Sequence, residues 1–280
     1  MEATTEVVTA APAPILSAFI DRYVGYRMAG FAPGLHRGLP SRHMTFIVAV
    51  GPPIDVIEQT DPHQAPASYR CVLSGLQASP AMIAHNGFQE GVAIELTPLG
   101  CRVLFGMPAS ELWDVSVECS QAHRALGDQL ADAVQSQQDW PARFAACDRA
   151  LLAAARTETL AGPELTWAWR TLVGTGGTCP ITPLADRVGW TRQHLTRKFT
   201  AEFGTSPKLA ARIIRFERAR RMLTSTPSYI SIAQVATTCG YYDQAHLNRD
   251  FAELAGVAPT AWLTEEIPSV QDPAAPDTRG

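Results

Sequence analysis

Between Ile181 and Trp262 the chain carries one residue pattern twice. The first copy contains Ile181, Leu184, Ala185, Gly189, Trp190, Leu195, Arg197, Phe199, Gly204 and Pro207. The second copy contains Ile232, Val235, Ala236, Gly240, Tyr241, Leu247, Arg249, Phe251, Gly256 and Pro259. The offset is 51 residues up to the aromatic residue and 52 from the leucine onward, so one extra residue lies in the second turn. Such a repeat indicates the duplication of one supersecondary unit.

Each copy predicts two short helices joined by a tight turn. Gly189 and Gly240 end the first helix, because glycine readily adopts the left-handed conformation found there. Thr191 and Asp243 are expected to cap the second helix with their side-chain oxygens. Apolar residues at every fourth position, beginning at Leu195 in the first copy, give this helix one buried stripe. The pattern is typical of the helix-turn-helix unit, whose second helix can enter the major groove of DNA.

The face opposite the apolar stripe carries side chains that can pair with base edges. The candidate DNA-binding residues are Arg192, Gln193, Thr196, Arg197, Lys198, Gln244, Ala245, Asn248 and Arg249. Arginine can pair with guanine, and glutamine or asparagine with adenine. One such face would be interpreted as solvated surface, but two in a duplicated unit favour DNA binding. An alternative stays open, in which Arg197 and Arg249 only anchor their own units.

The two copies differ in charge. Asp250 stands where the first copy has Lys198, and we expect its carboxylate to point toward the phosphates and repel them. The first copy is therefore expected to supply most of the affinity. Between the copies, Pro207 predicts the start of a helix that carries a row of four arginines. These are Arg212, Arg215, Arg218 and Arg221, for which solvation, ion pairing and phosphate contact are alternatives.

Residues 181–263 resemble the tandem helix-turn-helix domain of AraC/XylS-type transcription regulators. The resemblance is carried by the Gly-aromatic turns, by Leu-x-Arg-x-Phe in each copy, and by residues 240–247 and 256–262. It implies two units held by a long helix, with double-stranded DNA as the partner. The N-terminal half resembles the sensor domain of actinobacterial-type AraC regulators through residues 38–48 and 96–102. This implies a cupin-like domain that binds an effector or forms a dimer.

Charge is divided unevenly along the 280 residues. Residues 181–263 contain 11 basic and 6 acidic side chains, a net charge of +5, which leaves −9 for the remainder of a chain whose total is −4. A basic module beside an acidic one favours a DNA-binding half joined to a half with another role.

The sequence predicts an α+β protein. A small β-barrel or cupin-like domain with helices is expected over 15–172, a linker over 173–180, an all-α DNA-binding domain over 181–263 and a disordered tail over 264–280. Residues 1–14 are also expected to be disordered. A helix is expected over 15–26, a loop over 31–41, strands over 44–50, 70–76, 82–85 and 91–96, and turns at 86–87 and 90–91. Further helices are expected over 99–106, 109–114, 121–137, 140–156 and 163–172.

No sequence motif points to catalysis. The six cysteines show no metal-finger spacing, the histidines no metal-binding spacing, and no phosphate loop is present, so no cofactor, metal or catalytic residue is expected. An enzyme that carries a DNA-binding module would need a nucleophilic cysteine in a recognisable setting, which we do not find. A purely protein-binding helical module would leave the duplicated polar faces unexplained.

The expected partners follow from this interpretation. They are double-stranded DNA, a small-molecule effector or a second copy of the chain at the N-terminal half, and RNA polymerase if the protein is an activator. No membrane partner is expected, because no apolar run approaches the roughly 20 residues of a membrane helix. No signal peptide is evident either, so a cytoplasmic location is expected.

Overall fold

The computed structural model describes residues 3–156, 160–225 and 230–265. Its strands are β1 (Thr4–Ala10), β2 (Ile20–Ala29), β3 (Gly34–Gly38), β4 (Thr45–Ala49), β5 (Ile54–Glu58), β6 (Ala67–Tyr69), β7 (Cys71–Ser74), β8 (Ala81–His85), β9 (Gln89–Leu96) and β10 (Ser116–Glu118). Its helices are α1 (Pro98–Phe105), α2 (Cys119–Ala122), α3 (Arg124–Gln135), α4 (Trp140–Ala154), α5 (Pro163–Gly174), α6 (Ile181–Arg187), α7 (Arg192–Phe203), α8 (Pro207–Ser225), α9 (Ile232–Thr238), α10 (Gln244–Ala255) and α11 (Pro259–Glu265). A 3-10 helix spans Ala109–Leu112. The expected α+β class, with a sheet domain before a helical domain, is confirmed.

The N-terminal strands form two antiparallel sheets. The larger has the order β1-β2-β9-β4-β7-β10 and the smaller β3-β8-β5-β6. Side chains alternate along β4, so Phe46 and Val48 join a core with α1, α3 and α4. Ala49 and Ile47 instead pack in the apolar cluster formed with the smaller sheet. The strand predicted over 44–50 is thus packed on both faces.

Three predictions for the first 41 residues are wrong. The segment expected to be disordered contains β1, the expected helix over 15–26 contains most of β2, and the expected loop over 31–41 contains β3. Each of these segments obtains its backbone hydrogen bonds from a strand elsewhere in the chain: β1 pairs with β2, β2 also pairs with β9, and β3 pairs with β8. Residues 1–2 lie outside the described part of the chain.

Two further predictions in the N-terminal half need correction. The expected turn at 90–91 lies inside β9, where Gly91 permits close packing, because a Cβ there would lie 2.7 Å from the carbonyl oxygen of Val48. The helix expected over 121–137 is divided into α2 and α3 at His123. His123 caps α3, since its Nδ1 accepts a hydrogen bond from the backbone N–H of Leu126 at 3.1 Å.

The C-terminal half contains two apolar cores with α8 between them. Ala210, Ala211 and Ile214 of α8 belong to the core around α6 and α7. The opposite side of α8 contributes to the core around α9, α10 and α11. Helix α5 also packs in the first of these cores and extends to Gly174, inside the linker expected over 173–180. Of the expected tail, residues 264–265 belong to α11, and residues 266–280 lie outside the described part.

Side chains from the sheet domain contact both helical units. Arg102 of α1 forms a bidentate ion pair with Glu202 at the end of α7, with N–O distances of 2.6 and 2.8 Å. Arg37 of β3 pairs with Glu265 of α11 at 2.9 Å. The two halves are therefore packed against each other in this structure.

Candidate nucleic-acid interface

The first unit consists of α6 and α7. Gly189 has a φ of 71°, a left-handed conformation that suits glycine, and Thr191 caps α7 by accepting a hydrogen bond from the backbone N–H of His194 at 3.1 Å. On the inner face of α7, Phe199 and Phe203 pack on Trp169 of α5, with ring centroids 6.1 and 5.2 Å apart. The cap and this aromatic cluster fix which face of α7 points outward.

The second unit repeats this construction with α9 and α10. Gly240 has a φ of 80°, and the carboxylate of Asp243 accepts from the backbone N–H of His246 at 2.7 Å. Phe251 on the inner face packs edge-on against Phe216 of α8, with centroids 4.9 Å apart, and against Trp262 of α11 at 5.5 Å. Both predicted capping residues therefore cap their helices.

Most of the predicted DNA-binding residues are exposed on the outer faces of α7 and α10. The exposed ones are Arg192, Gln193, Arg197, Lys198, Gln244, Ala245 and Arg249. Two are half-buried: Thr196, whose hydroxyl donates to the carbonyl of Arg192 at 2.9 Å, and Asn248, whose Oδ1 is buried without a hydrogen-bond partner. Within each copy the structure brings its candidates together on one surface. Contact of these residues with DNA stays a prediction.

The alternative in which Arg197 and Arg249 anchor their units finds little support in the geometry. In the described ranges neither guanidinium has an acidic partner. Arg197 has one exposed contact, 3.4 Å from its Nη2 to Nδ1 of His194. Both cations are thus left facing solvent on the outer surface of their helices.

The expected position of Asp250 is wrong. Its side chain is buried, with a residue exposure of 5%, and its Oδ1 accepts from Nε of Arg212 at 2.7 Å. Arg212 also pairs with Glu253. Burial lowers the pKa of Arg212, but the hydrogen bonds and charges of Glu253 and Asp250 outweigh it and raise that pKa overall. Sequence reasoning missed this role because Arg212 and Asp250 meet only through the packing of α8 on α10.

The arginine row of α8 shows two of the three alternatives, ion pairing and solvation, while phosphate contact stays untested. Arg212 and Arg221 are ion-paired to acids, while Arg218 is exposed. Arg215 donates to the carbonyl of Gly177 at 2.7 Å and lies over the ring of Tyr241. The row therefore mainly joins α8 to its surroundings.

A charged cluster lies at the other side of α8, against the sheet domain. His43 is buried and its Nε2 lies 2.8 Å from Oδ2 of Asp21, with Glu95 nearby. These three residues have donor atoms close enough to hold a metal ion. However, Arg42 pairs with Asp21 and Arg22 with Glu95, each at 2.8 Å, so both carboxylates already have cationic partners. The cluster therefore suits ion pairing better than metal binding.

Glu217 connects α8 to this cluster. Its Oε2 accepts from the backbone N–H of Arg42 at 2.9 Å, and its Oε1 pairs with Arg221 at 2.7 Å. Burial raises the pKa of Glu217, but the nearby charges of His43, Arg221, Arg42 and Arg220 outweigh it, so the pKa lies below its usual range. A cavity of about 50 Å³ lies between this part of α8 and strands of the larger sheet.

In the described part of the chain, no helix is both long enough and apolar enough to cross a membrane. Five cysteines are buried as free thiols, and Cys179 is half-buried.

Comparisons with known proteins match the two halves separately. Residues 184–265 match the family model of a helix-turn-helix domain, and residues 8–118 match a domain of unknown function (DUF6597). The HTH-type transcriptional regulator Rv1931c of Mycobacterium tuberculosis (strain ATCC 25618 / H37Rv) is 33% identical over 84 residues, which are 30% of this chain and 32% of that protein. The chain thus spans about a third of the length of that relative.

Solved structures align with the chain over different extents. ToxT from Vibrio cholerae O395, bound to (E)-4-(8-methylnaphthalen-1-yl)but-3-enoic acid, is 11% identical, with a TM-score of 0.51 over 94% of this chain and 99% of that one. The DNA-binding domain of AdpA, in complex with a target DNA, is 24% identical, with a TM-score of 0.34 over 37% of this chain and 92% of that one. The likeness to ToxT shows a common fold. The chain therefore carries a helix-turn-helix domain over residues 184–265, behind an N-terminal sheet domain, in a fold shared with ToxT.

Proposed function

We propose that this protein is a sequence-specific DNA-binding transcription regulator in which α7 and α10 insert into successive major-groove segments. The observation that carries the proposal is the duplicated outer face, where Arg197 and Arg249 hold the same position and have no acidic partner among the described residues. Arginines at this place on a major-groove helix can pair with guanine, while Lys198 and neighbouring cations suit phosphates.

The packing of α8 supports insertion of both units together. Its two sides enter the two apolar cores, and Arg215 binds the segment before α6 while covering Tyr241 of the second unit. Since one continuous helix joins both cores, the units form one module with a set spacing. Two groove-inserting helices on such a module meet DNA about one helical turn apart.

Footprinting on DNA selected by the full chain tests this proposal. We expect two protected patches about 10 base pairs apart for each protomer. Binding should weaken steeply as salt is raised, because cationic contacts release counterions from the phosphates. One protected patch would mean that a single unit inserts. A folded protein that enriches no sequence at low salt would contradict DNA recognition altogether.

We also propose that the N-terminal half, with a domain expected over 15–172, controls the DNA-binding part over 181–263. The hydrogen bond from the backbone N–H of Arg42 to Glu217 supports this role, because a change in the sheet domain at this point would act directly on α8. ToxT, which shares the fold, has been solved with a carboxylic acid ligand. The packing of α5 on α6 and α7 favours assigning α5 to the DNA-binding part rather than to the controlling one.

The proposed control of DNA binding by the N-terminal half can be tested with a thermal-shift screen of small molecules on the full chain. DNA binding is then measured with each hit. A hit should change DNA affinity as well as stability, since linkage between two sites is reciprocal. Size-exclusion chromatography tests the other expected role, a homodimer. A monomer whose DNA binding responds to no stabilising ligand would contradict the proposal. If the regulator proves to be an activator, RNA polymerase is the further expected partner.

A further inference from the structure

The two units carry a histidine at the same position of their second helix. His194 and His246 are 52 residues apart, which is the offset of the matched leucines, and each packs edge-on against the aromatic residue of its turn. The centroid of His194 lies 4.8 Å from that of Trp190, and the centroid of His246 lies 5.2 Å from that of Tyr241. The backbone N–H of each histidine is bound by its capping residue. The two histidines therefore have equivalent ring contacts and equivalent backbone hydrogen bonds.

The partner of Nδ1 differs between the units. In the first unit, Nη2 of Arg197 lies 3.4 Å from Nδ1 of His194. A guanidinium can only donate, so Nδ1 must accept and the neutral ring carries its proton on Nε2. His194 thus holds one end of the arginine on the outer face of α7.

In the second unit, the backbone N–H of the one inserted residue donates to Nδ1 of His246. Trp190 and Tyr241 are equivalent, because each donates its backbone N–H to the matching alanine carbonyl. The caps Thr191 and Asp243 are also equivalent. Tyr242, which lies between Tyr241 and Asp243, is therefore the extra residue. Its backbone N–H lies 3.4 Å from Nδ1 of His246. A neutral imidazole has one acceptor nitrogen, which is then already used. Arg249 makes no hydrogen bond or ion pair within residues 3–156, 160–225 and 230–265.

We propose that His194 is a positioning residue for base recognition by Arg197, and that the insertion of Tyr242 removes this support from Arg249. The proposal rests on the proposed DNA-binding function. A long side chain loses rotamer freedom when it pairs with a base, and a guanidinium already held in place loses less. The exposed contact between His194 and Arg197 adds little stability to the free protein. A hydrogen bond becomes stronger, however, when a docked duplex displaces the water around it.

A double-mutant cycle on the full chain tests this role. The probe is a duplex selected by the wild-type chain from a random library, and the readout is its affinity relative to that of a scrambled duplex. His194→Ala should lower this preference about two- to fivefold, and the loss should disappear when Arg197→Ala is already present. His194→Asn should restore most of the preference, since its Oδ1 can accept near the former position of Nδ1.

The second unit supplies the matched control. His246→Ala and Arg249→Ala should act additively on the same preference, because the structure shows no bond between their side chains. The inference is overturned if His194→Ala weakens scrambled and selected DNA equally, if the first cycle is additive, or if His194→Asn fails to restore the preference in a chain with an unchanged unfolding midpoint. Equal coupling in both units would overturn the role given to Tyr242. A wild-type chain that selects no sequence would instead contradict the proposed function, and the inference with it.

Discussion

At the residue scale, Asp250 contacts α8 and does not lie on a surface that DNA could reach. It is buried on the inner side of α10 and accepts from Arg212 at 2.7 Å, while Arg212 keeps Glu253 as a second, more exposed partner. A charge on a buried pair cannot be removed without leaving its partner less satisfied. Asp250 therefore stabilises the contact between α8 and the second unit.

Asp250→Asn tests that role. The substitution should lower the free energy of unfolding by about 1–3 kcal/mol, because Arg212 loses a charge-assisted hydrogen bond but retains Glu253. Denaturant unfolding of the full chain measures the change. Glu253→Gln serves as the control and should cost less, since the side chain of Glu253 is 64% exposed. An Asp250→Asn chain with unchanged stability and tighter DNA binding would instead favour the earlier expectation of phosphate repulsion.

At the scale of elements, α5 is part of the first unit's core. Leu165, Ala168, Trp169 and Leu172 are all buried, and the ring of Trp169 covers two aromatic residues of α7. Without α5, the apolar face of α7 would be open to water on that side. The DNA-binding part thus needs more chain than the repeated pattern itself contains.

A pair of fragments tests the need for α5. Residues 160–265 should fold cooperatively and bind DNA, whereas residues 178–265 should be partly unfolded, because exposing a core face that includes a tryptophan costs several kcal/mol, about 3–5 for the aromatic ring alone. Circular dichroism with thermal unfolding measures both fragments. Trp169→Ala in the longer fragment is the point-mutation control, and its thermal stability should lie between those of the two fragments. Equal stability of the two fragments would show that α5 is dispensable.

The sequence predicts the C-terminal elements much better than the N-terminal ones, for a physical reason. In the helices, the caps Thr191 and Asp243 and the spacing of apolar residues are local signals, and both recur with the duplication. By contrast, β1 is defined by pairing with β2, and β2 also by pairing with β9, whose paired residues lie 61 to 76 positions further along the chain. Such non-local pairing leaves little trace in the segment itself.

The candidate site divides in a similar way. The outward position of Arg197 and Arg249 follows from helical periodicity alone, so the sequence could predict it. The partners of Asp250 on α8 and of Glu217 in the sheet domain depend on packing between segments far apart in the chain, which no local pattern contains. The inserted residue of the second turn is also predictable, because the offset between the two copies changes there from 51 to 52.

At the scale of the whole molecule, α8 is the element that all parts share. It enters both helical cores, and through Glu217 it joins the charged cluster of the sheet domain. Glu217 is almost completely buried, with its two carboxylate oxygens held by Arg42 and Arg221. A change in the sheet domain at this point would therefore act directly on the helix that spaces the two units.

The lowered pKa of Glu217 predicts a pH-dependent loss of stability. The unfolded chain binds a proton on this carboxyl below its ordinary pKa of 4.5, while the folded chain binds it only at lower pH. Stability from Glu217 is thus fully present well above pH 4.5 and is lost as the pH falls from there through the folded pKa. Asp21, whose pKa is also lowered because His43 and Arg42 outweigh burial, acts in the same direction.

Glu217→Gln should separate the contribution of this one carboxylate from the rest. At neutral pH the variant should lose about 1.5–3 kcal/mol of unfolding free energy, since the hydrogen bond from the backbone N–H of Arg42 and the ion pair with Arg221 are weakened. The difference from wild type should shrink as the pH is lowered from about 7 to about 3, because wild-type Glu217 then becomes neutral as well. Denaturant unfolding at each pH measures the difference, with Glu58→Gln as the control, because Glu58 is an exposed acid on β5. A difference that stays constant over this range, or one equally large for Glu58→Gln, would mean that the charge of Glu217 does not hold α8 to the sheet domain.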